Sequence, residues 1–407
     1  VVGPIALGAG FQPSINEIGQ ITALFEISVT EGVYDTLVSR WTPYGNVTRV
    51  LPVQAGTAVA MHPKYGALVT GGVYWSPYSG AHTLTVPRGV AGLDARAINA
   101  SGVVVGGALM PPPASRSFEN LHNQPAFAWQ SPNRLTLLTQ PTPRVSQQDS
   151  VTATGINSHG VIVGAWTIFG VDFVTRTGIM WRSMFAAPEQ LRGGATGIND
   201  CAEVSLILDD GAGHRNAFVR GPAGTERDLA TEVSIDDFFA RSDDSRANGI
   251  SQMGWVAGDV ILESGRRTAI LWRPDGGTPL VLRPLAGDAS SEAWGVNSRG
   301  QVAGVSYGPG NSRVVRWTVP SATFAGTVAL IRARIASLNG LSSTSRTQLE
   351  ADLDAAARAA ALGYVAPARA AFAAYSSHLE ASAGALSTHD RAILSDAGIC
   401  LSESLRS

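Results

Sequence analysis

The chain has 407 residues, 44% of them apolar and only 15% charged, and its 30 basic residues nearly balance 32 acidic ones for a net charge of -2. So sparse and balanced a charge set excludes disorder by self-repulsion and excludes the basic footprint of a general nucleic-acid binder; Lys64 is the single lysine, so arginine carries the positive charge. Forty-five glycines and 22 prolines without a collagen period point to many tight turns and an all-β majority, at a length that holds about two or three folding units.

No run approaches the roughly 18 consecutive apolar residues of a membrane-spanning helix. The opening at Val1 rather than methionine fits a mature or trimmed polypeptide. One unit then recurs along the chain. Weaker copies open at Ser14-Ile15-Asn16 and Ala60-Met61-His62, and clear ones run from Ala97-Ile98-Asn99 to Gly106 and from Gly155-Ile156-Asn157 to Gly164. Another weak copy runs from Gly197-Ile198-Asn199 to Val204, followed by clear ones from Gly249-Ile250-Ser251 to Gly258 and from Gly295-Val296-Asn297 to Gly304, seven in all.

Asn-x-x-Gly between two apolar runs suits a tight turn, because Asn hydrogen-bonds its own backbone and Gly accepts positive φ without a steric cost. The Val-x-Val-Gly stretch after it reads as a small-residue strand that a neighbouring sheet can approach closely. A second apolar strand ends in tryptophan at Trp41, Trp129, Trp181, Trp272 and Trp317, and the second and fifth copies lack it. A short strand ending in leucine, as at Leu51, Leu93, Leu138, Leu191, Leu229 and Leu282, closes most units. Four strands per unit and seven units predict a seven-bladed β-propeller of four-stranded antiparallel blades. The seventh copy stops after its tryptophan strand at Val319-Pro320, whereas Pro4-Ile5-Ala6-Leu7-Gly8 precedes the first opening as the leucine strands precede the later ones. The N-terminal strand is therefore expected to close the last blade and remove an open edge.

Gly-Ile-Asn-x-x-Gly-x-Val-x-Gly followed by Ala-Phe-x-Trp, seen at Ala126-Phe127-Ala128-Trp129 and, with Arg220 in the last place, at Ala217-Phe218-Val219-Arg220, resembles the HAF repeat family of bacterial extracellular β-propeller proteins. The resemblance covers residues 1–320. It implies a secreted or periplasmic propeller and no catalytic residues. Copies two and five depart furthest, and in the fifth Ala202 replaces the turn glycine beside Cys201.

After Pro320 an alanine-rich segment begins, which predicts a small α-helical C-terminal domain over residues 321–407. Val328, Ile331, Ile335 and Leu338 form one helical face that stops near Asn339-Gly340. Ser345 with Gln348 reads as a capping box before Leu349, Leu353, Ala356 and Ala360. Phe372, Tyr375 and Leu379 mark a third helix, and Ser387 with Asp390 caps a fourth that carries Ile393 and Leu394 and is expected to end at Gly398. A bundle this small has a marginal core, so it is expected to dock on the propeller.

Little in the sequence carries chemistry. Gly304-Val305-Ser306-Tyr307-Gly308 has the spacing of a nucleophile elbow without the helix that such an elbow needs. The seven histidines form no close ligand pair, Asp209-Asp210-Gly211 reads as a hairpin turn, and no metal or cofactor motif is present. Recurring tryptophans at one fixed repeat position read as blade packing, and the aspartate box of sialidase-type propellers is missing.

Inserts break the repeat at 111–124, which contains Pro111, Pro112 and Pro113, at 139–152, and at the acidic stretch Asp236, Asp237, Phe238, Phe239 to Asp244. Long loops on a rigid scaffold are where binding concentrates. These residues are the expected contacts to another protein or to a membrane-associated complex, with no nucleic acid and no catalysis. The runner-up is a glycan- or small-ligand-binding propeller, and a polysaccharide-acting enzyme follows it. Cys201, in the most degenerate copy, and Cys400, near the end of the tail, are expected to form a disulfide that ties tail to propeller, as an extracytoplasmic location allows.

Overall fold

A computed structural model describes residues 2–30, 33–42, 47–51, 59–63, 68–70, 72–76, 79–111, 124–130, 134–142, 149–169, 174–209, 214–234 and 244–406. Its strands pair into seven four-stranded antiparallel sheets arranged as a β-propeller. Six sheets take their strands in simple chain order. The last takes its outermost strand from the N-terminus: Val2–Ala9 pairs antiparallel with Asn311–Thr323, Ile5 opposite Arg316.

The first strands of the sheets, Phe11–Ile15, Val59–Met61, Gly92–Ile98, Ser150–Ile156, Gly194–Ile198, Ser245–Ile250 and Ser290–Val296, line the axis. Each touches the next, and the seventh touches the first. Closure of that kind leaves no inner strand without neighbours on both sides, which is how an array of small sheets buries faces that no single sheet could bury.

The described turns after inner strands form as their residues dictate. Asn99 and Asn157 accept the amide of the residue three places on, and Gly102, Gly160, Gly254 and Gly300 have φ of 78°, 81°, 77° and 71°. Ala202 fills the same place in the fifth sheet with φ 69°, a left-handed conformation that costs a side-chain-bearing residue about 1–2 kcal/mol.

The tryptophans join neighbouring sheets. Trp41 Nε1 donates to the Leu7 carbonyl at 3.0 Å, Trp181 to Thr139 at 2.8 Å, Trp272 to Leu229 at 2.9 Å and Trp317 to Arg283 at 2.8 Å. Each acceptor lies in or just after the outer strand of the preceding sheet, and all four indoles are buried.

Several expectations need correcting. The second copy does not lack its tryptophan: buried Trp75 lies in Val73–Ser76 opposite Leu68, as Trp129 lies opposite Val104. Leu93 does not close the second sheet; it belongs to the inner strand Gly92–Ile98, and Gly80–Thr83 followed by buried Leu84 does the closing. The glycines after Val-x-Val make room within their own sheet and not for a neighbour. A Cβ on Gly106, Gly164, Gly258 or Gly304 would run into the carbonyl oxygen of Asp94, Thr152, Arg246 or Glu292, beside the bulge of the inner strand.

Four helices follow the last strand: α1 (Phe324–Ser337), α2 (Ser343–Ala361), α3 (Val365–Ala381) and α4 (Thr388–Ser404). Thr323, Ser342 and Ser387 cap α1, α2 and α4 through their hydroxyls, so the cap of α2 is Ser342 and not Ser345. Helix α4 does not stop at Gly398. That residue lies inside it, where a Cβ would strike the Tyr375 ring, and its small size lets α3 and α4 close up. Val328, Ile331 and Ile335 of α1 join Trp255 and Trp317 in one continuous apolar cluster that runs on to Leu353, Phe372 and Leu401. The Trp255 indole also donates to Thr327 Oγ1 at 2.9 Å. A bundle too small for a core of its own thus completes the core of the last two sheets.

Candidate functional site

Two cavities lie on the propeller axis, one at each face. On the face of the inner turns a cavity of about 630 Å³ is lined by residues from all seven sheets, and Glu403 and Arg406 of the tail reach into it. The turns around it are laced together by buried side-chain amides. Asn99 Nδ2 donates to the Asn157 carbonyl at 3.0 Å, Asn157 to Asn199 at 3.1 Å, Asn199 to Ser251 at 3.0 Å and Asn297 to Asn16 at 2.9 Å. Within its own turn each Oδ1 accepts main-chain amides, as Asn157 does from His159 and Val161 at 3.1 and 2.9 Å. One residue type thereby shapes the turn and ties it to the next sheet. Ser251 holds its own turn through Oγ, accepting from Met253 and Trp255, with a side chain too short to carry an amide across.

Cys201 and Cys400 are joined by a disulfide with Cα atoms 4.9 Å apart, across 199 residues of sequence. It clamps α4 against the fifth sheet at the point where Ala202 strains the turn. Glu203 is buried beside it, donated to by Asn199 Nδ2 at 2.9 Å. Burial pushes its pKa up to about 7, with Asn199 holding it down and Asp396 of α4 adding to the rise. Burial raises Asp396 to about 6 as well, and Arg227 offsets part of this. The donor atoms of Cys201, Glu203 and Cys400 lie within 4.8 Å of one another, but a disulfide has no thiolate to offer a metal.

The opposite cavity, about 480 Å³, is built by a repeated irregularity. Pairing slips by one residue between Ala95 and Ala97, Ala153 and Gly155, Ala195 and Gly197, Ala247 and Gly249, and Ala293 and Gly295. The extra residue in each is Arg96, Thr154, Thr196, Asn248 or Trp294, and all five line this cavity. A bulge re-aims one side chain, and here it does so once in each of these five sheets. Behind them, Asp259 Oδ1 accepts from Asn248 Nδ2 at 2.9 Å, and Glu292 accepts from Trp294 Nε1 at 3.2 Å and Tyr307 at 2.6 Å. Burial and then the neighbouring Glu292 raise Asp259 to about 6.

Chain direction places the inserts. Inner strands run toward the asparagine turns, so the segments after second strands and before first strands leave from the opposite face; the described residues flanking 111–124, 139–152 and 236–244 all lie there. Pro111 is exposed at the start of the first insert. Pro112, Pro113, Asp236, Asp237, Phe238 and Phe239 lie outside the described residues. Ser306 of the nucleophile-like motif is fully buried mid-strand, where it bonds Asp288 and accepts from the Leu285 amide. The repeat pattern does not single out the bulge residues, although the sequence carries a signal for them: Ala-x-Gly or Ala-x-Ala recurs just before the turn opening in five copies, and x is Arg, Thr, Thr, Asn and Trp.

No family model matches the chain, and no curated protein does. Solved structures match it in shape. Pyrococcus horikoshii acylaminoacyl peptidase is 12% identical with a TM-score of 0.46 over 76% of this chain and 51% of that one. A prolyl endopeptidase from a study of inter-domain dynamics in two such enzymes is 12% identical with a TM-score of 0.50 over 74% and 47%. The chain spans about half the length of each. At such identities the likeness shows the fold alone, a β-propeller.

Proposed function

We propose that the chain is a non-catalytic, extracytoplasmic propeller of the HAF-repeat type that binds another protein as an accessory subunit of an envelope or membrane-associated assembly. The seven sheets are read as seven blades, with residues 1–320 as propeller and 321–407 as a helical cap. One observation carries the reading: the flanks of all three inserts lie on the face opposite the tail, so excess length gathers on a single side of a rigid scaffold. The Cys201–Cys400 bond supports an oxidising compartment.

The test compares the full chain with a form lacking residues 114–121, each used to recover partners from native membranes. No repeat strand is lost in that deletion, so its melting temperature is expected to match the parent while a stoichiometric partner is recovered at least about tenfold less well. Equal recovery after trimming all three inserts would overturn the reading.

A further inference from the structure

We propose that the ring of bulge residues is a binding site for a sugar acid, a polyhydroxylated ligand with one carboxylate. The frame around each bulge repeats within this one chain, as in Ala153-Thr154-Gly155-Ile156-Asn157 and Ala293-Trp294-Gly295-Val296-Asn297. Fold alone needs the small residues and the asparagine. It leaves the bulged position free, and that position holds Arg, Thr, Thr, Asn and Trp, each half-buried and turned into one cavity. A volume of about 480 Å³ lies in the range of small-ligand sites, and a few convergent polar groups beside an aromatic ring are the usual furnishing of one.

The hydrogen-bond inventory selects the ligand. Arg96 is paired with Asp94 at 2.7 Å. Arg176, from the third strand of the fourth sheet, also lines the cavity and makes no hydrogen bond or ion pair among the described residues, although Asp209 lies within electrostatic reach. Its stem lies across Gly194, where a Cβ would collide with it. The side chain is exposed, yet the protein beside its guanidinium removes part of its hydration, and this, with Arg215 and Arg96 nearby, lowers its pKa. A carboxylate would relieve this in the bidentate geometry that arginine favours.

The remaining groups present acceptors. Both N–H bonds of Asn248 are used, on Asp259 and on the Ala293 carbonyl at 2.9 Å, so its Oδ1 is open. Thr154 spends its proton on the Ala195 carbonyl at 2.7 Å and keeps its lone pairs. Acceptors around one cation suit hydroxyl donors around one carboxylate. Trp294 offers the apolar face on which a sugar ring stacks.

The inference stands apart from partner binding and is tested apart from it, by calorimetric titration of the full chain with D-glucuronate, D-glucose and inorganic phosphate. Glucuronate is expected to bind at least about tenfold more tightly than glucose, Arg176→Gln to erase that preference, and Trp294→Ala to weaken both sugars. Gly194→Ala, which pushes the Arg176 stem aside, gives a second route to the same loss, with melting curves checking each variant. Glucuronate binding no better than glucose, binding untouched by Arg176→Gln, or binding of phosphate alone would each overturn it.

Discussion

The two faces of the propeller are built from the same repeat and treated differently. On one face the asparagine recurs almost unchanged, its amide passes from sheet to sheet, and the tail is bonded over it. On the other the repeated frame holds a residue that takes four identities across five sheets, and the inserts start there. Uniform residues serve the contact that every sheet must make with the next. Varied ones gather where a ring of unlike groups faces an open cavity. The contrast teaches that stability and recognition can be assigned to opposite ends of one short strand.

The largest blow to the locked side is removal of residues 1–9. The last sheet loses its outer strand and Trp41 loses the Leu7 carbonyl, so a loss of about 3 kcal/mol or more is expected in chemical denaturation, far above the effect of trimming a frayed terminus. A truncated protein with the parent midpoint would break the argument for closure.

Cys400→Ser comes next. Closing a loop across 199 residues predicts a cost of about 2–5 kcal/mol, and cleavage within α4 under limited proteolysis should appear first. The parent treated with reductant should behave the same way, while an uncoupled disulfide would leave both profiles unchanged.

Asn157→Ala removes a bridge to Asn199 and orphans the His159 and Val161 amides, which is expected to cost about 1–3 kcal/mol. The matching change on the other face, Thr154→Ala, removes one hydroxyl and its bond to the Ala195 carbonyl, orphans no main-chain amide, and should cost less than half as much. Equal costs would remove the distinction between the faces.

Glu203 sharpens the comparison through pH. Its folded pKa of about 7 lies above the ordinary 4.5, so the folded state holds its proton more tightly than the unfolded one does. Its contribution to stability is therefore full below about pH 4.5 and is lost as pH rises through about 7. Glu203→Gln should raise the melting temperature near pH 8 and make little difference near pH 5. The reverse order would show that the carboxylate is stabilised as an anion. Smallest of all, Ala202→Gly relieves the left-handed φ of 69° and should add about 0.5–1 kcal/mol.

Much of this architecture is legible in the amino acids because each repeat is short and its turn chemistry strict. Asn-x-x-Gly marks the turns, the tryptophans mark the third strands, and the complementary ends announce the shared sheet. The two oddities of the fifth copy point to the disulfide. Leu93 misleads because inner and outer strands both carry leucine, and only the pairing separates them. Gly398 misleads because a helix tolerates glycine where another ring presses on it. The bulge ring goes unread for a different reason: a repeat is recognised by what stays constant, and a bulged position is the one that the fold leaves unconstrained. Its meaning appears only when the register slips are lined up around the axis.

The pairing of Val2–Ala9 with Asn311–Thr323 has a consequence in time as well as in space. Ribosomes add about 5–20 residues each second, so Val2–Ala9 waits about 15–60 s for the strand that will cover it. During that wait it has no partner for its edge, and the sheet that spans both ends of the propeller sets the moment at which the whole ring can lock.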